Sequence, residues 1–311
     1  MGNTRRKTEN QFMTRYVNGV EIEDTFAEAF GMWGARVIIT AASQKWAREA
    51  AVQMTGFATS VIACGCEAGV EGDLEQTPDG RAGVSVLVFA MGKETLVRQL
   101  TNRIGQCVLT CPTTSCFNGL AGEETVAVGG QLRFFGDGFQ CSKLIGGRRY
   151  WRIPVMQGEF LIEHKFGIQR AVGGGNFLIL GRSEKIALEA AERAVEAMRQ
   201  VQGVALPFPG GIVRSGSKVG SKYKFLRAST NDGFCPTLRG VVDSRLPDDV
   251  NSVLEIVIDG LDAPSIEQAT RVGVLAACIP GIRRIAAGNY GGNLGKFKFY
   301  LHKILQEEMP A

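Results

Sequence analysis

The sequence predicts an α+β protein built as two lobes related by internal duplication, and three observations carry that reading. The segment Ala35–Ala51 (ARVIITAASQKWAREAA) reappears 140 residues later as Gly175–Ala191 (GNFLILGRSEKIALEAA). At that offset Ile39, Ser43, Lys45, Ala47, Glu49, Ala50 and Ala51 meet Ile179, Ser183, Lys185, Ala187, Glu189, Ala190 and Ala191. Chance gives about one identity in such a window. Each copy is a β-branched or Leu-rich run, then a Ser placed to cap a helix, then an amphipathic helix. Both halves continue as strand, helix, strand, which yields two β-α-β-β-α-β units of the ferredoxin-like type.

The elements follow in order. Residues 1–16 are polar and basic, lack the apolar core of a secretory signal, and read as a disordered extension. The first lobe takes 17–155. After its copy of the repeat, Ser60–Ala63 and Val84–Ala90 read as strands and Glu94–Cys107 as a helix. Gln131–Phe135, Tyr150–Pro154 and Glu159–Glu163 read as extra strands between the lobes, punctuated by GDG and GG turns. The second lobe takes 156–311. Ser183 with Ile186, Leu188, Ala191, Val195 and Met198 marks its first helix; Leu254–Ile258, Ser265–Cys278 and Arg283–Ala287 follow as strand, helix and strand. Between them Pro207–Pro236 (PFPGGIVRSGSKVGSKYKFLRASTNDGFCP) has no useful periodicity. A connection this long is functional or disordered. Phe208, Ile212, Val213, Tyr223, Phe225 and Phe234 supply too much apolar surface for disorder, so it reads as an ordered binding segment.

At 311 residues the chain is long enough for two lobes, each with its own core. A net charge of +4 is too small to imply nucleic-acid binding over the whole surface. No apolar run approaches the roughly 20 residues that span a bilayer. Eight cysteines without an export signal read as reduced thiols in the cytoplasm.

Several chemistries are tested by the residue types present. Gly211-Ile-Val-Arg-Ser-Gly216-Ser217-Lys218 has the glycine spacing of a phosphate loop but ends Ser-Lys, where that motif needs Lys before the hydroxyl and a helix after it. Lys218, Lys222 and Lys224 either neutralise an acidic ligand or stand solvated. The two histidines, His164 and His302, are far apart, and Cys64, Cys66, Cys107, Cys111 and Cys116 lack the paired spacing of a metal site, so no metal is expected. Glu255 stands out in Ser252-Val-Leu-Glu-Ile-Val-Ile-Asp259. Either it faces outward by alternation, or it faces a cleft, where desolvation makes it an acid–base group near neutrality. Asp137 and Asp232 lie in turn contexts that favour a structural role.

Taken together, the motifs resemble one family. They are Asn18–Phe30 (NGVEIEDTFAEAF), Arg103–Val108, Phe134–Gly138, Gly174–Phe177, Pro207–Gly211, Ser217–Lys222, Ala228–Asp232, Glu255–Ile258 and Ala287–Gly292. Over roughly residues 17–303 the chain is similar to formylmethanofuran–tetrahydromethanopterin formyltransferases. The resemblance implies transfer of a formyl group between methanofuran and N5 of tetrahydromethanopterin. It implies no prosthetic group, the two coenzymes acting as co-substrates, and a homodimer or homotetramer with its site at a subunit interface. By the strand motif, Glu255 takes the place of the family's catalytic glutamate. Backbone N–H groups of the Gly/Ser segments, with Ser229 or Asn231, would stabilise an oxyanion, and Phe135, Asp137 and Asn176 would shape the pterin cleft. Ser217, Lys218, Ser221, Lys222 and Asp232 would meet the rest of the coenzymes. Cys64–Gly69 and Tyr150–Pro154 resemble versions from methylotrophic bacteria, which implies partnership with the other subunits of a formyltransferase/hydrolase complex and a role in oxidising formaldehyde to formate. The competing readings are a non-catalytic structural subunit, a phosphate-binding enzyme and, weakest, a nucleic-acid binder resting on KVGSKYK.

Overall fold

The computed structural model describes residues 14–62 and 64–306. The chain opens with a hairpin of β1 (Arg15–Val17) and β2 (Val20–Ile22) and then enters β3 (Phe26–Ala41), a strand of 16 residues. There follow α1 (Gln44–Thr55), β4 (Glu67–Leu74), β5 (Ala82–Ala90), α2 (Lys93–Arg103) and β6 (Ser115–Asn118). The four main strands lie in the order β6-β3-β5-β4, each antiparallel to its neighbour. Alternate residues of β3 (Ala35, Val37, Ile39, Ala41) and β5 (Val84, Val86, Val88, Ala90) face both helices. Ala47, Ala50, Ala51 and Met54 form the buried stripe of α1 at helical spacing, small enough to seat it close on the sheet.

A second run then extends the sheet: β7 (Glu124–Val126), α3 (Val128–Leu132), β8 (Cys141–Ile145), β9 (Arg148–Val155) and β10 (Gly158–Glu163). β10 pairs parallel with β6 and antiparallel with β9, so it continues the first lobe's sheet.

The second lobe repeats the order. β11 (Phe166–Gly181), again 16 residues, leads to α4 (Glu184–Met198) and β12 (Val204–Ala205). A small hairpin of β13 (Lys218–Val219) and β14 (Ala228–Ser229) interrupts before β15 (Ser252–Gly260), α5 (Ala263–Ala277) and β16 (Ile282–Ala286). The chain closes with β17 (Phe297–Tyr300) and α6 (Leu301–Gln306). The strand order is β16-β11-β15-β12, again antiparallel throughout. Phe177, Ile179, Ile256 and Ile258 face α4 and α5. The opposite face of this sheet, with Leu178, Leu180 and Ala286, is covered by Phe234, Leu246 and Val250 from the long connection. β3 and β11 join the lobes by pairing antiparallel through their first halves, Gly34 opposite Gln169 and Phe30 opposite Gly173.

Three expectations change. Ser60–Ile62 is not a strand, and Ala63 lies outside the described residues; the strand is β4, further on. Its Gly69, Glu71, Gly72 and Asp73 disfavour strand on their own, and the partner β5 imposes it. Gln131–Phe135 is helical, ending α3 and forming a 3₁₀ turn. Gly129 and Gly130 permit this, because a Cβ at Gly129 would stand 2.1 Å from the Glu163 carbonyl oxygen. Of the expected extension 1–16, residues 1–13 lie outside the described residues, while Arg15 and Tyr16 are in β1.

Candidate active site

Glu255 sits mid-strand in β15, opposite Leu178, which in turn opposes Ala286. These three lie in a row on the face away from the helices. Burial alone pushes the Glu255 carboxyl up to about 7. A carboxyl at that value both donates and accepts a proton near neutral pH, which is what acid–base catalysis requires.

The long connection is ordered and meets β15 at this residue. Val213 and Glu255 exchange both backbone bonds, at 2.8 and 2.9 Å. Two residues on, the Ser215 carbonyl accepts from the Thr230 hydroxyl, and Gly216 packs against Asn231. Lys218 pairs with Ser229 across the β13–β14 hairpin, and its Nζ reaches Asp232 at 2.5 Å. That bond to Lys218 holds the Asp232 carboxyl below its usual range. The Ser229 hydroxyl donates to the Gly220 carbonyl, whereas the Asn231 side-chain amide makes no hydrogen bond among the described residues. Ser217 and Lys222 are exposed, and Ser221 accepts from the Tyr223 N–H at the hairpin tip. A strand, β13, runs where a phosphate loop would start its helix.

The structure thus gathers Glu255, Ser217, Lys218, Ser221, Lys222, Ser229, Asn231 and Asp232 on or beside one segment. Asn176 joins them from β11, level with Val257, but its side chain is engaged with backbone: it donates to the carbonyls of Gly174 and Gly288 and accepts from the Gly288 N–H at 2.6 Å. Phe135 and Asp137 do not join them. They sit beside β9, four strands from β11, a lateral separation of roughly 20 Å at ~4.8 Å per strand. Asp137 occupies the left-handed turn there, at φ 49°. A cavity of about 1000 Å³ lies elsewhere, between the lobes, walled by Arg36, Ile38 and Ser85 of the first and by Met198, Val204 and Phe208 of the second. Among the described residues no cluster of three or more His, Cys, Asp or Glu is arranged to hold a metal ion.

Two features escaped the sequence reading. Asp259, fully buried two positions beyond Val257, is pushed well up by burial and then by the neighbouring Glu67 of β4, across the lobe junction. Its alternation with Glu255 and Val257 was the available signal. The second is a contact between two of the motifs already named: the N–H groups of the loop Gly288–Gly295 gather on Glu28. Four glycines in eight residues marked the loop.

Comparison with known proteins agrees with this architecture. The sequence model described as formylmethanofuran-tetrahydromethanopterin formyltransferase matches residues 15–155, and that of the family's proximal lobe matches 158–304. The formyltransferase of Methylococcus capsulatus is 60% identical over 295 residues, covering 93% of this chain and 99% of that one. A component of the formyltransferase/hydrolase complex of Methylorubrum extorquens is 50% identical over 307 residues, covering 95% and 98%. Among solved structures, the Methanosarcina barkeri formyltransferase superimposes with a TM-score of 0.90 at 51% identity, covering 93% of this chain and all of that one. The Methylorubrum complex, crystallised with methylofuran, gives 0.92 at 49% identity, covering 95% and 100%. With two family models spanning nearly the whole chain and relatives at half identity or better, the protein belongs to the formylmethanofuran–tetrahydromethanopterin formyltransferase family.

Proposed function

We propose that the protein moves a formyl group between a methanofuran-type amine and N5 of tetrahydromethanopterin, with Glu255 as the acid–base group. The observation that carries the reading is a carboxyl poised at about 7 on the strand face that the long connection covers. In the transfer, the acceptor nitrogen adds to the formyl carbon and gives a tetrahedral intermediate. The Glu255 carboxylate takes the proton from that nitrogen; as the carbon–nitrogen bond to the donor breaks, the carboxyl returns a proton to the leaving nitrogen. The charge that develops on the formyl oxygen needs a donor. Beside the backbone N–H groups of the Gly/Ser segments, two side chains are expected as donors; the Ser229 hydroxyl is committed to Gly220, which favours the Asn231 amide. Both coenzymes act as co-substrates, and no prosthetic group is required by these steps.

Lys218 meets an acidic portion of a coenzyme by exchanging its Asp232 partner for ligand; Lys222, exposed nearby, does the same. Phe135 and Asp137 complete a cleft only when a second copy of the chain brings them to the Glu255 site, which fits a homodimer or homotetramer. Assembly with the other subunits of a formyltransferase/hydrolase complex is the reading the Methylorubrum relative favours. No helix among the described residues is long and apolar enough to cross a membrane.

We also propose that the two lobes, meeting near 155/156, are ferredoxin-like copies of one unit. Supporting this, β3 and β11 stand 140 residues apart along their whole lengths, and Ser43 and Ser183 share cap angles of −149°, 160° and −148°, 161°. Leu178 then corresponds to Ile38, and its neighbour Glu255 to Ser85, the residue opposite Ile38. The acid–base group belongs to one copy alone. Spectroscopic measurement of formyl exchange between the two carriers, with purified wild-type and Glu255→Gln protein, tests the function: exchange by the first and near-absence in the second is expected. A wild type without exchange, or a variant with normal turnover, overturns it.

A further inference from the structure

The loop Gly288–Gly295 is folded around a single carboxylate from the other lobe. Glu28, on β3, is 1% exposed. Its Oε2 accepts from the N–H groups of Tyr290 and Gly292 at 2.7 and 2.9 Å, and its Oε1 from those of Leu294 and Gly295, both at 2.5 Å. Burial works to raise the Glu28 pKa, but these four bonds outweigh it and hold the carboxyl below its ordinary value. The chain circles so tightly only because of its glycines. Gly291 and Gly292 take φ of +73° and +75°, and a Cβ on Gly295 would stand 2.4 Å from the Ala29 carbonyl oxygen.

The same loop borders the Glu255 site. Its first residue, Gly288, accepts from the Glu28 backbone N–H at 3.2 Å and is clamped on its other side by Asn176. Asn176 lies level with Val257, two residues along the strand from Glu255. Tyr290 follows two residues later, half-buried, its ring 6.3 Å from that of Phe30. Its phenol pKa is raised by burial and then by the charges of Glu255 and Glu28, so both carboxylates act on it.

We propose that Glu28 is a positioning residue for formyl transfer: by gathering the N–H groups of the 290–295 loop, it holds Tyr290 as the wall that keeps water from Glu255. The proposal rests on Glu255 being the acid–base group. Glutamine at position 28 keeps one acceptor oxygen where the carboxylate has two, so half the loop's bonds lose their acceptor. Alanine at 290 removes the ring but leaves the backbone N–H that Glu28 binds.

The test is kinetic, on the full chain: kcat, KM and the pH–rate profile for formyl exchange in wild type, Glu28→Gln, Tyr290→Ala and the double variant. Each single change is expected to lower kcat about tenfold with a smaller effect on KM, and to move the limb near pH 7 to lower pH as water reaches Glu255. The double variant is expected to be no slower than the slower single one, because both act through one wall. Additive losses, or a limb that stays in place, overturn the proposal. If Glu28→Gln does not fold, Tyr290→Ala decides alone: kcat within about twofold of wild type and an unmoved limb refute it. A wild-type profile with no limb near 7 would instead strike the Glu255 assignment, leaving the coupling between positions 28 and 290 measurable in its own right.

Discussion

Replacing Glu255 by glutamine should make the protein more stable, and only above a definite pH. Burial raises this carboxyl from 4.5 to about 7. The native state therefore holds a proton that the unfolded chain releases between those values. The stability that Glu255 contributes is fully present below about 4.5 and is lost as the pH climbs through about 7. At about 1.4 kcal/mol per unit, the shift is worth on the order of 3 kcal/mol. Glutamine mimics the protonated acid and carries no such dependence. The variant and wild type should match at pH 4, and the variant should lead by about 3 kcal/mol at pH 9. With an unfolding entropy of about 2.1 cal/mol/K per residue over this length, that is roughly 5 °C in Tm. Scanning calorimetry from pH 4 to 9 reads the difference directly. A gap that does not vary with pH, or a variant less stable than wild type at pH 9, refutes the reasoning. Stabilisation together with lost activity is the mark of a group held in place for chemistry.

Other outcomes follow from the same geometry. Lys218→Ala should raise KM for at least one coenzyme while leaving Tm nearly unmoved, because its pair with Asp232 is solvent-exposed; steady-state kinetics beside a thermal melt checks both. Glu71→Ala should cost about 2–4 kcal/mol in denaturant unfolding. It strips a bidentate partner from Arg36, at 2.7 and 2.6 Å, and leaves the Gly203 N–H, donated across the lobe junction at 2.7 Å, without an acceptor. Gly167→Ala should destabilise by several kcal/mol or prevent folding, since its Cβ would lie 2.0 Å from the Leu120 carbonyl oxygen; soluble yield and Tm report it.

How much of this was legible in the sequence depended on where the deciding partner lay. β3, α1, β11 and α4 were readable because their periodicities are local and written twice. β4 was not, because its glycines and acids are held by β5 and by Arg36, partners distant in the chain. α3 was hidden by Gly129 and Gly130, which lower helix propensity yet are demanded by contact with Glu163 and His164. The strand bearing Glu255 was plain, but the side it faces was not, since apolar residues on both faces erase the alternation. Its exposure to chemistry became readable only once Val213 and Phe234 of the long connection were seen on that strand's edge and face. Glu28 carries no local sign at all, as its four donors stand more than 260 residues away.

The central claim is that Glu255 exchanges the proton in formyl transfer, and the pH dependence of kcat tests it most directly. Wild-type protein, assayed for formyl exchange between the two carriers from pH 5 to 9, should show a limb near pH 7. Glu255→Gln should lose most of its turnover, and the residual rate should lack that limb. A wild-type rate flat across this range, or a glutamine variant that keeps both turnover and limb, would contradict the account.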